Sequence, residues 1–411
     1  MKELLRHILI VAVLTYSVNS KAQVVSQLLY SKMDAFPQHN LWDGNSTMLM
    51  GFTELIGTPI GLPSPVLIFN EGDSVDLSLY NFSQPAPHTI HLHGLDVDQQ
   101  NDGVPHLSFS VPHDSTGHYI FVAPHAGTYL YHCHVLSTLH VQAGMYGLII
   151  IRPPDGSMKT WDGGYTFDNE NAWLFSEIDT HWHTFSVIND PWDPQDSIAL
   201  LLDYDPQYFL INGKSETELT APESSINAPV GATVYVRLAN IGYYGNRVIF
   251  PSALDAQIID SDGRPLPTVI DSDTVEILPG ERYGVLLYPT AEMTDVVQVE
   301  YFDLNTQVVA NTQNAPVTIE GYLNQDFNYS KQFEVYPNPT NGDLSIKFNN
   351  LETLQSLTVT DLQGKIIFQK QYNKTVNNTE ELSLVNVDNG LYMIIVQTEN
   401  GIYSEKVIIK N

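Results

Sequence analysis

Apolar and polar positions alternate in short runs along most of the chain. Over 74–81, Val75, Leu77 and Leu79 alternate with Asp76, Ser78 and Tyr80, as one face of a half-buried strand requires. Further strands are predicted over 65–69, 89–93, 119–122, 128–133 and 147–152, with Asn70-Glu71-Gly72-Asp73 as a turn. The stretch 24–58 reads as irregular, with loops and an edge strand. No long helical period appears. Short strands separated by turns predict a Greek-key sandwich or barrel.

Pro153-Pro154-Asp155-Gly156 interrupts this pattern. A second strand-rich region follows, with strands predicted over 173–178, 207–211, 233–240, 257–260, 274–278 and 283–288. Asn212-Gly213, Asp262-Gly263 and Pro279-Gly280 supply its turns. A polar link at 324–331 leads to a smaller β region at 332–411. The expected class is all-β, with domains at 24–155 and 156–323 before that last region.

Composition narrows the picture. The 411 residues carry a formal net charge of −29 with only 18 Lys+Arg. Nucleic acid and anionic membranes are therefore disfavoured as partners. Residues 1–23 read as a secretory signal. Lys2 and Arg6 precede an apolar run at 8–18 that is too short to span a bilayer, and Ser20-Lys21-Ala22-Gln23 offers a cleavage region. The single cysteine permits no intrachain disulfide. A lone thiol outside the cell oxidises unless buried or ligated, so Cys133 is expected to be one or both.

That cysteine lies in His132-Cys133-His134, with His140 seven residues on and Met145 five beyond that. Along a strand, Cys133 points to one face and both histidines to the other. In His88-Thr89-Ile90-His91-Leu92-His93, His91 and His93 share a face and His88 lies opposite. One side thus gathers His88 and Cys133, with His140 and Met145 in the following loop. The other gathers His91, His93, His132 and His134. Two imidazoles, a thiolate and a weak axial thioether are the donor set of a blue-copper electron-transfer site. A structural zinc site would usually use a fourth His or Cys in place of Met. His7, His39, His113, His118 and His125 are read as isolated.

At these residues the chain resembles the multicopper oxidase family of cupredoxins. HTIHLHG is similar to its HxxHxHG motif, and HAGTYLYHCH with HVQAGM is similar to its HCH…HxxxGM motif. LPSPVLIFNEGDSVDLSLYN and NDGVP resemble its opening strands and its acidic segment. YFLINGK, VYVRLANIG, IIDSDGRPL and ILPGERYGVLLYP resemble its second or copper-free domain. The resemblance implies two cupredoxin-like Greek-key β-barrel or sandwich domains that bind copper. It implies His88, Cys133, His140 and Met145 as type 1 ligands, and His91, His93, His132 and His134 at a type 2/type 3 centre. Asp102 matches an acidic residue that supports proton delivery, and it also reads as a turn residue before Gly103. A homotrimer is implied by two-domain relatives that share sites between subunits.

Residues 332–411 resemble the C-terminal sorting domain of the type IX secretion system. Tyr336-Pro337-Asn338-Pro339-Thr340-Asn341-Gly342 is similar to its opening, and Gly390-Leu391-Tyr392 with Glu405-Lys406-Val407-Ile408 to its close. This implies a small β-sandwich, that secretion machinery as a partner, and a secreted or cell-surface location.

Two departures from the family stand out. The step from Cys133 to the next ligand is seven residues where five is usual, a longer loop that resembles copper nitrite reductases. A full trinuclear centre takes eight histidines from two domains. The first domain holds four, and the second region offers only His181 and His183, in DTHWH. The expected function is a secreted copper-dependent oxidoreductase. Electrons would come singly from a small molecule, a metal ion or a redox protein, and oxygen would accept them at the second centre. The alternatives are a blue-copper electron carrier or copper-binding protein with an incomplete second site, and a nitrite reductase-like enzyme.

Overall fold

A computed structural model describes residues 24–82, 86–188, 203–321, 333–348, 352–361, 365–376, 379–398 and 402–410. The segment read as a signal, 1–23, and the link at 324–331 lie outside the described residues. The chain divides into two compact units, 1–321 and 322–411. No helix among the described residues is long and apolar enough to cross a membrane.

The larger unit opens with two four-stranded sheets. One runs in the order Met50–Thr53, Val24–Met33, Ser74–Asn81, Thr116–Val122. The other runs Leu67–Asn70, Tyr146–Arg152, Gly127–His132, His91–His93. Strand Ser74–Asn81 alternates as predicted, with Val75, Leu77 and Leu79 buried. These side chains meet Phe52, Phe69, Tyr119 and Tyr131 in one core, which also contains Cys133 and Met145. Full burial of each such aliphatic side chain contributes roughly 1.5–3 kcal/mol.

The edge strand expected within 24–58 is Met50–Thr53, and a longer strand that the pattern did not show, Val24–Met33, lies interior to the same sheet. Val24–Met33 pairs in parallel with Ser74–Asn81 and antiparallel with Met50–Thr53. Its Ser26, Gln27 and Ser31 blur the apolar alternation, and long-range pairing defines it instead.

Two more sheets follow. The six-stranded one runs Tyr208–Ile211, Asn169–Ile178, Val234–Asn240, Arg282–Leu287, Gln257–Ser261, Arg264–Asp271. The five-stranded one runs Ile226–Pro229, Val309–Glu320, Met293–Phe302, Gly245–Ile249, Thr274–Ile277. Their core includes Trp173, Phe175, Val236, Leu238 and Tyr301.

The two sandwiches of this unit share a separate apolar cluster. Leu130, Tyr146 and Leu148 from the first meet Leu174, Ile178, Leu210 and Ile241 from the second. A buried polar lock accompanies it. Arg237 Nε donates to Glu170 Oε1 at 2.7 Å, and its Nη1 donates to Thr128 Oγ1 at 2.9 Å across the junction. Glu170 also accepts from Arg152 Nη1 at 2.9 Å. Burial works to raise the Glu170 carboxyl, but the two guanidiniums outweigh it and hold it low.

The smaller unit, described by itself, has a three-stranded sheet of Phe333–Tyr336, Asp343–Phe348 and Thr379–Ser383. A four-stranded sheet orders Ile366–Val376, Glu352–Thr360, Gly390–Thr398 and Ile402–Ile409. Phe333, Ile346, Leu357, Ile394 and Val407 fill its core.

Glu177, on strand Asn169–Ile178, generates a pH prediction. Its carboxylate accepts from the backbone N–H of Tyr243 at 2.8 Å and from the Tyr204 hydroxyl at 3.2 Å. Burial still dominates and pushes it from 4.5 up to about 7. A folded value above the unfolded one stabilises below the unfolded value, and that contribution is lost as pH rises through the folded value. The ceiling is roughly 3 kcal/mol. The thermal midpoint should therefore fall between about pH 5 and about pH 8, and less steeply in Glu177→Gln. Calorimetry across that range checks this, and equal slopes in the two proteins would contradict it.

Candidate metal centres

Strand Gly127–His132 ends one residue before the cysteine. The pleat still sets the directions, because Tyr129 and Tyr131 enter the first core together with Cys133 while Leu130 faces the second sandwich. The Cys133 N–H donates to the Met145 carbonyl at 3.0 Å, which brings the two ends of the loop together. Between them the expected loop contains a short helix, Ser137–Gln142, entered through Leu136 at φ 45°. This helix turns His140 inward, and Met145 N donates to the His140 carbonyl at 2.9 Å. His88 arrives from another segment through a bridge to Val111.

The result is a buried group of His88, Cys133 and His140 whose ligand atoms lie within 4.8 Å of one another. Cys133 Sγ is 3.3 Å from His140 Nδ1 and 3.7 Å from His88 Nδ1. Two donors each about 2.0–2.3 Å from one ion, at trigonal to tetrahedral angles, stand about 3.3–3.8 Å apart. The spacing thus fits a single metal. Burial pushes the His140 imidazole down to about 4 and His88 well below its ordinary value. Both are therefore neutral, the ligating form, at neutral pH. Burial pushes the Cys133 thiol up to about 11, so metal binding must release its proton.

The second group lies on the opposite face of the same sheet. His91 and His93 share edge strand His91–His93, and His91 pairs directly with His132. Ligand atoms of His91, His93 and His132 lie within 4.8 Å of one another. His91 Nδ1 is 2.7 Å from the Asp102 carbonyl, and His132 Nδ1 is 3.0 Å from the Cys133 carbonyl. A carbonyl only accepts, so both Nδ1 atoms carry hydrogen and both Nε2 lone pairs are left to face a metal. His93 is hydrogen-bonded to the Gly280 backbone, and its Nδ1 lies 3.3 Å from His132 Nε2. Burial is the largest influence on all three rings. It takes His132 to about 3, His93 to about 4 and His91 below its ordinary value.

His134 is beside this group but outside the close triad. Its ring centroid is 5.2 Å from that of His91 and 5.9 Å from that of His132, and its backbone N–H donates to Thr89 Oγ1 at 2.8 Å. Asp102 holds His91 with its backbone carbonyl, while its carboxylate stands 3.6 Å from His91 Nδ1. The turn reading of the next position also holds. Gly103 has φ 78°, and a Cβ there would sit 1.9 Å from the Ile90 carbonyl oxygen.

His181 and His183 do not form the ligand pair expected from DTHWH. His181 Nδ1 is 2.9 Å from Asp179 Oδ1, on a side chain largely in solvent. His183 is buried, its Nδ1 donating to the Met48 carbonyl at 2.7 Å while its Nε2 lies 3.2 Å from Gln142 Oε1. The residues after strand Asn169–Ile178 turn back on themselves, so the two rings do not share a face as they would on a strand.

Sequence reasoning missed the second sandwich's share in both groups. Gln142 Nε2 donates to the Glu177 carbonyl and to the Tyr204 hydroxyl, each at 3.0 Å, and its Oε1 accepts from Asp179 N at 2.9 Å. The Tyr243 hydroxyl donates to the Thr138 carbonyl. The helix that bears His140 is thus tied to residues of the second sandwich. At the other face stand Gly280 and Arg282. Among these residues only the Pro279-Gly280 turn was marked in the sequence, and nothing there points to a histidine far along the chain.

Two family models match the chain. A multicopper oxidase model covers residues 42–156, and a secretion system C-terminal sorting domain model covers residues 334–410. Copper resistance protein A of Escherichia coli is 38% identical over 120 residues, which are 28% of this chain and 18% of that protein. Laccase-2 of Cryptococcus neoformans is 26% identical over 287 residues, 63% of this chain and 44% of that one. The chain thus spans less than half the length of these curated relatives. The crystal structure of a blue copper oxidase from Nitrosomonas europaea superposes with a TM-score of 0.56 at 27% identity, covering 73% of this chain and 86% of that one. Its cupredoxin architecture accords with the paired sandwiches described above. The chain therefore carries a multicopper oxidase domain at residues 42–156 and a secretion system C-terminal sorting domain at residues 334–410.

Proposed function

We propose that the protein is a secreted or cell-surface copper-dependent oxidoreductase of multicopper oxidase type. His88, Cys133 and His140, with Met145 of the same core as a further weak donor, would hold a type 1 copper. His91, His93 and His132 would belong to the second centre, and His134 lies beside that group without joining it. Bound copper supplies a one-electron redox couple that imidazole and thiol lack. The observation that carries this reading is the junction itself. Cys133 belongs to one group and its chain neighbour His132 to the other, so one peptide unit joins the two.

The chain's own residues divide the remaining work. Burial keeps the ligand imidazoles neutral and water away from the thiolate. The tie from Gln142 and Tyr243 fixes the helix that presents His140. The Asp102 carboxylate, partly open to solvent beside His91, is placed to pass protons between water and the second centre. The formal charge of −29 favours approach of cationic over anionic donors. Small molecules, metal ions and redox proteins are the donor classes, and oxygen is the acceptor. The sorting domain supports export by the type IX machinery.

Two observations favour a second reading. A close triad of histidines is also a setting for nitrite reduction, and the longer step from Cys133 to His140 points the same way. The acceptor separates the two readings.

Two predictions follow from the junction. Cys133→Ser should remove the intense blue absorption of the copper-loaded protein, because that charge transfer begins at the thiolate. An unchanged spectrum would sink the type 1 assignment. With a reducing donor, the copper-loaded wild type should consume oxygen in an electrode chamber, and Cys133→Ser should lose at least about a hundredfold in rate. Nitric oxide formed from nitrite, without oxygen uptake, would replace oxygen by nitrite as the acceptor.

A further inference from the structure

We propose that the second centre is a mononuclear three-histidine copper site completed within one chain, and not the trinuclear cluster that the family resemblance implies. This inference rests on the copper reading above. Its first support is the supply of donors. Residues 156–323 contain His181 and His183 and no other histidine. His183 is buried against the Met48 carbonyl and Gln142 Oε1, and His181 is turned to Asp179 at the surface. A second copy of the chain meeting this face with its own second sandwich brings the same two residues. A cluster needing four imidazoles from that side does not fit.

Its second support is the way the three rings are held. The Asp102 carbonyl backs His91, the Cys133 carbonyl backs His132 and the Gly280 backbone backs His93. Backbone groups behind imidazoles, carbonyls in the case of His91 and His132, are the outer-shell pattern that orients metal ligands. It leaves Nε2 of His91, Nδ1 of His93 and Nε2 of His132 as the inward donors. Three protein ligands leave a further coordination position for water or a small exogenous molecule.

Its third support is what stands on the far side. The second sandwich presents a turn and a guanidinium there. A Cβ on Gly280 would lie 3.2 Å from His93 Cε1, so only glycine packs that close without the ring giving way. Arg282 Nη1 donates to the Gly280 carbonyl at 2.6 Å and pairs with Asp262 at 2.9 Å. The guanidinium lies flush against Gly94, where a Cβ would fall 2.1 Å from Nη2. A permanent cation next to His93 opposes a further cluster of copper ions at this face. His134, outside the close triad, is then a flanking residue and not a required ligand.

Copper analysis with quantitative electron paramagnetic resonance of the full chain tests this. Loaded with copper(II) and dialysed, the wild type should hold about two copper ions per chain, with all copper visible as spin and two distinct signals. His93→Ala should keep the blue band, which reports an intact fold, and lose half of the bound copper. His134→Ala should keep both signals. Three results would overturn the inference. One is about four copper ions per chain with about half of them spin-silent. Another is a single, blue copper alone. The third is loss of the second copper in His134→Ala as complete as in His93→Ala. A wild type without a blue band whose remaining signal disappears in His93→Ala would remove the type 1 reading and leave this inference standing.

Discussion

The peptide between His132 and Cys133 constrains everything around it. The pleat of strand Gly127–His132 sends successive side chains to opposite faces. Cys133 therefore enters the core of the first sandwich, and His132 turns to the outer face where the second sandwich packs. The helix Ser137–Gln142, the bridge at His88 and the edge strand His91–His93 all serve to bring donors to one side or the other of that peptide. The two groups stay distinct because a β-sheet lies between them.

The second sandwich takes part without offering a ligand cluster of its own among the described residues. Through Gln142 and Tyr243 it ties the helix that carries His140, and through Gly280 it backs His93. The junction is held by apolar packing around Leu130 and Leu148, and by Arg237 reaching from Glu170 to Thr128. Removing one partner of such a buried ion pair typically costs about 3–5 kcal/mol. Disturbing this contact would thus shift both groups of ligands, although no residue of the contact belongs to either.

Much of this was legible in the sequence. Alternation over 74–81 reproduces strand Ser74–Asn81, and the spacing of His88, His91, His93, His132 and Cys133 sorts them correctly onto two sides of one sheet. Three features escaped. Strand Val24–Met33 was hidden because its polar residues blur the period and its partners lie far along the chain. The helix that bears His140 was hidden because six residues make too short a period to detect, and its start at Leu136 is a left-handed backbone position with no glycine to mark it. The ring placements of His181 and His183, and the role of Gly280, depend on contacts between distant segments that no local pattern encodes.

The central claim is that this peptide couples two metal centres of different kind. Pulse reduction of the anaerobic copper-loaded protein addresses it directly. An electron delivered to a type 1 copper held at Cys133 would bleach its blue colour, and the return of that colour would report transfer to the second centre. The account predicts a first-order return whose rate does not change with protein concentration. A blue band that stays bleached, or that returns at a rate proportional to protein concentration, would contradict it.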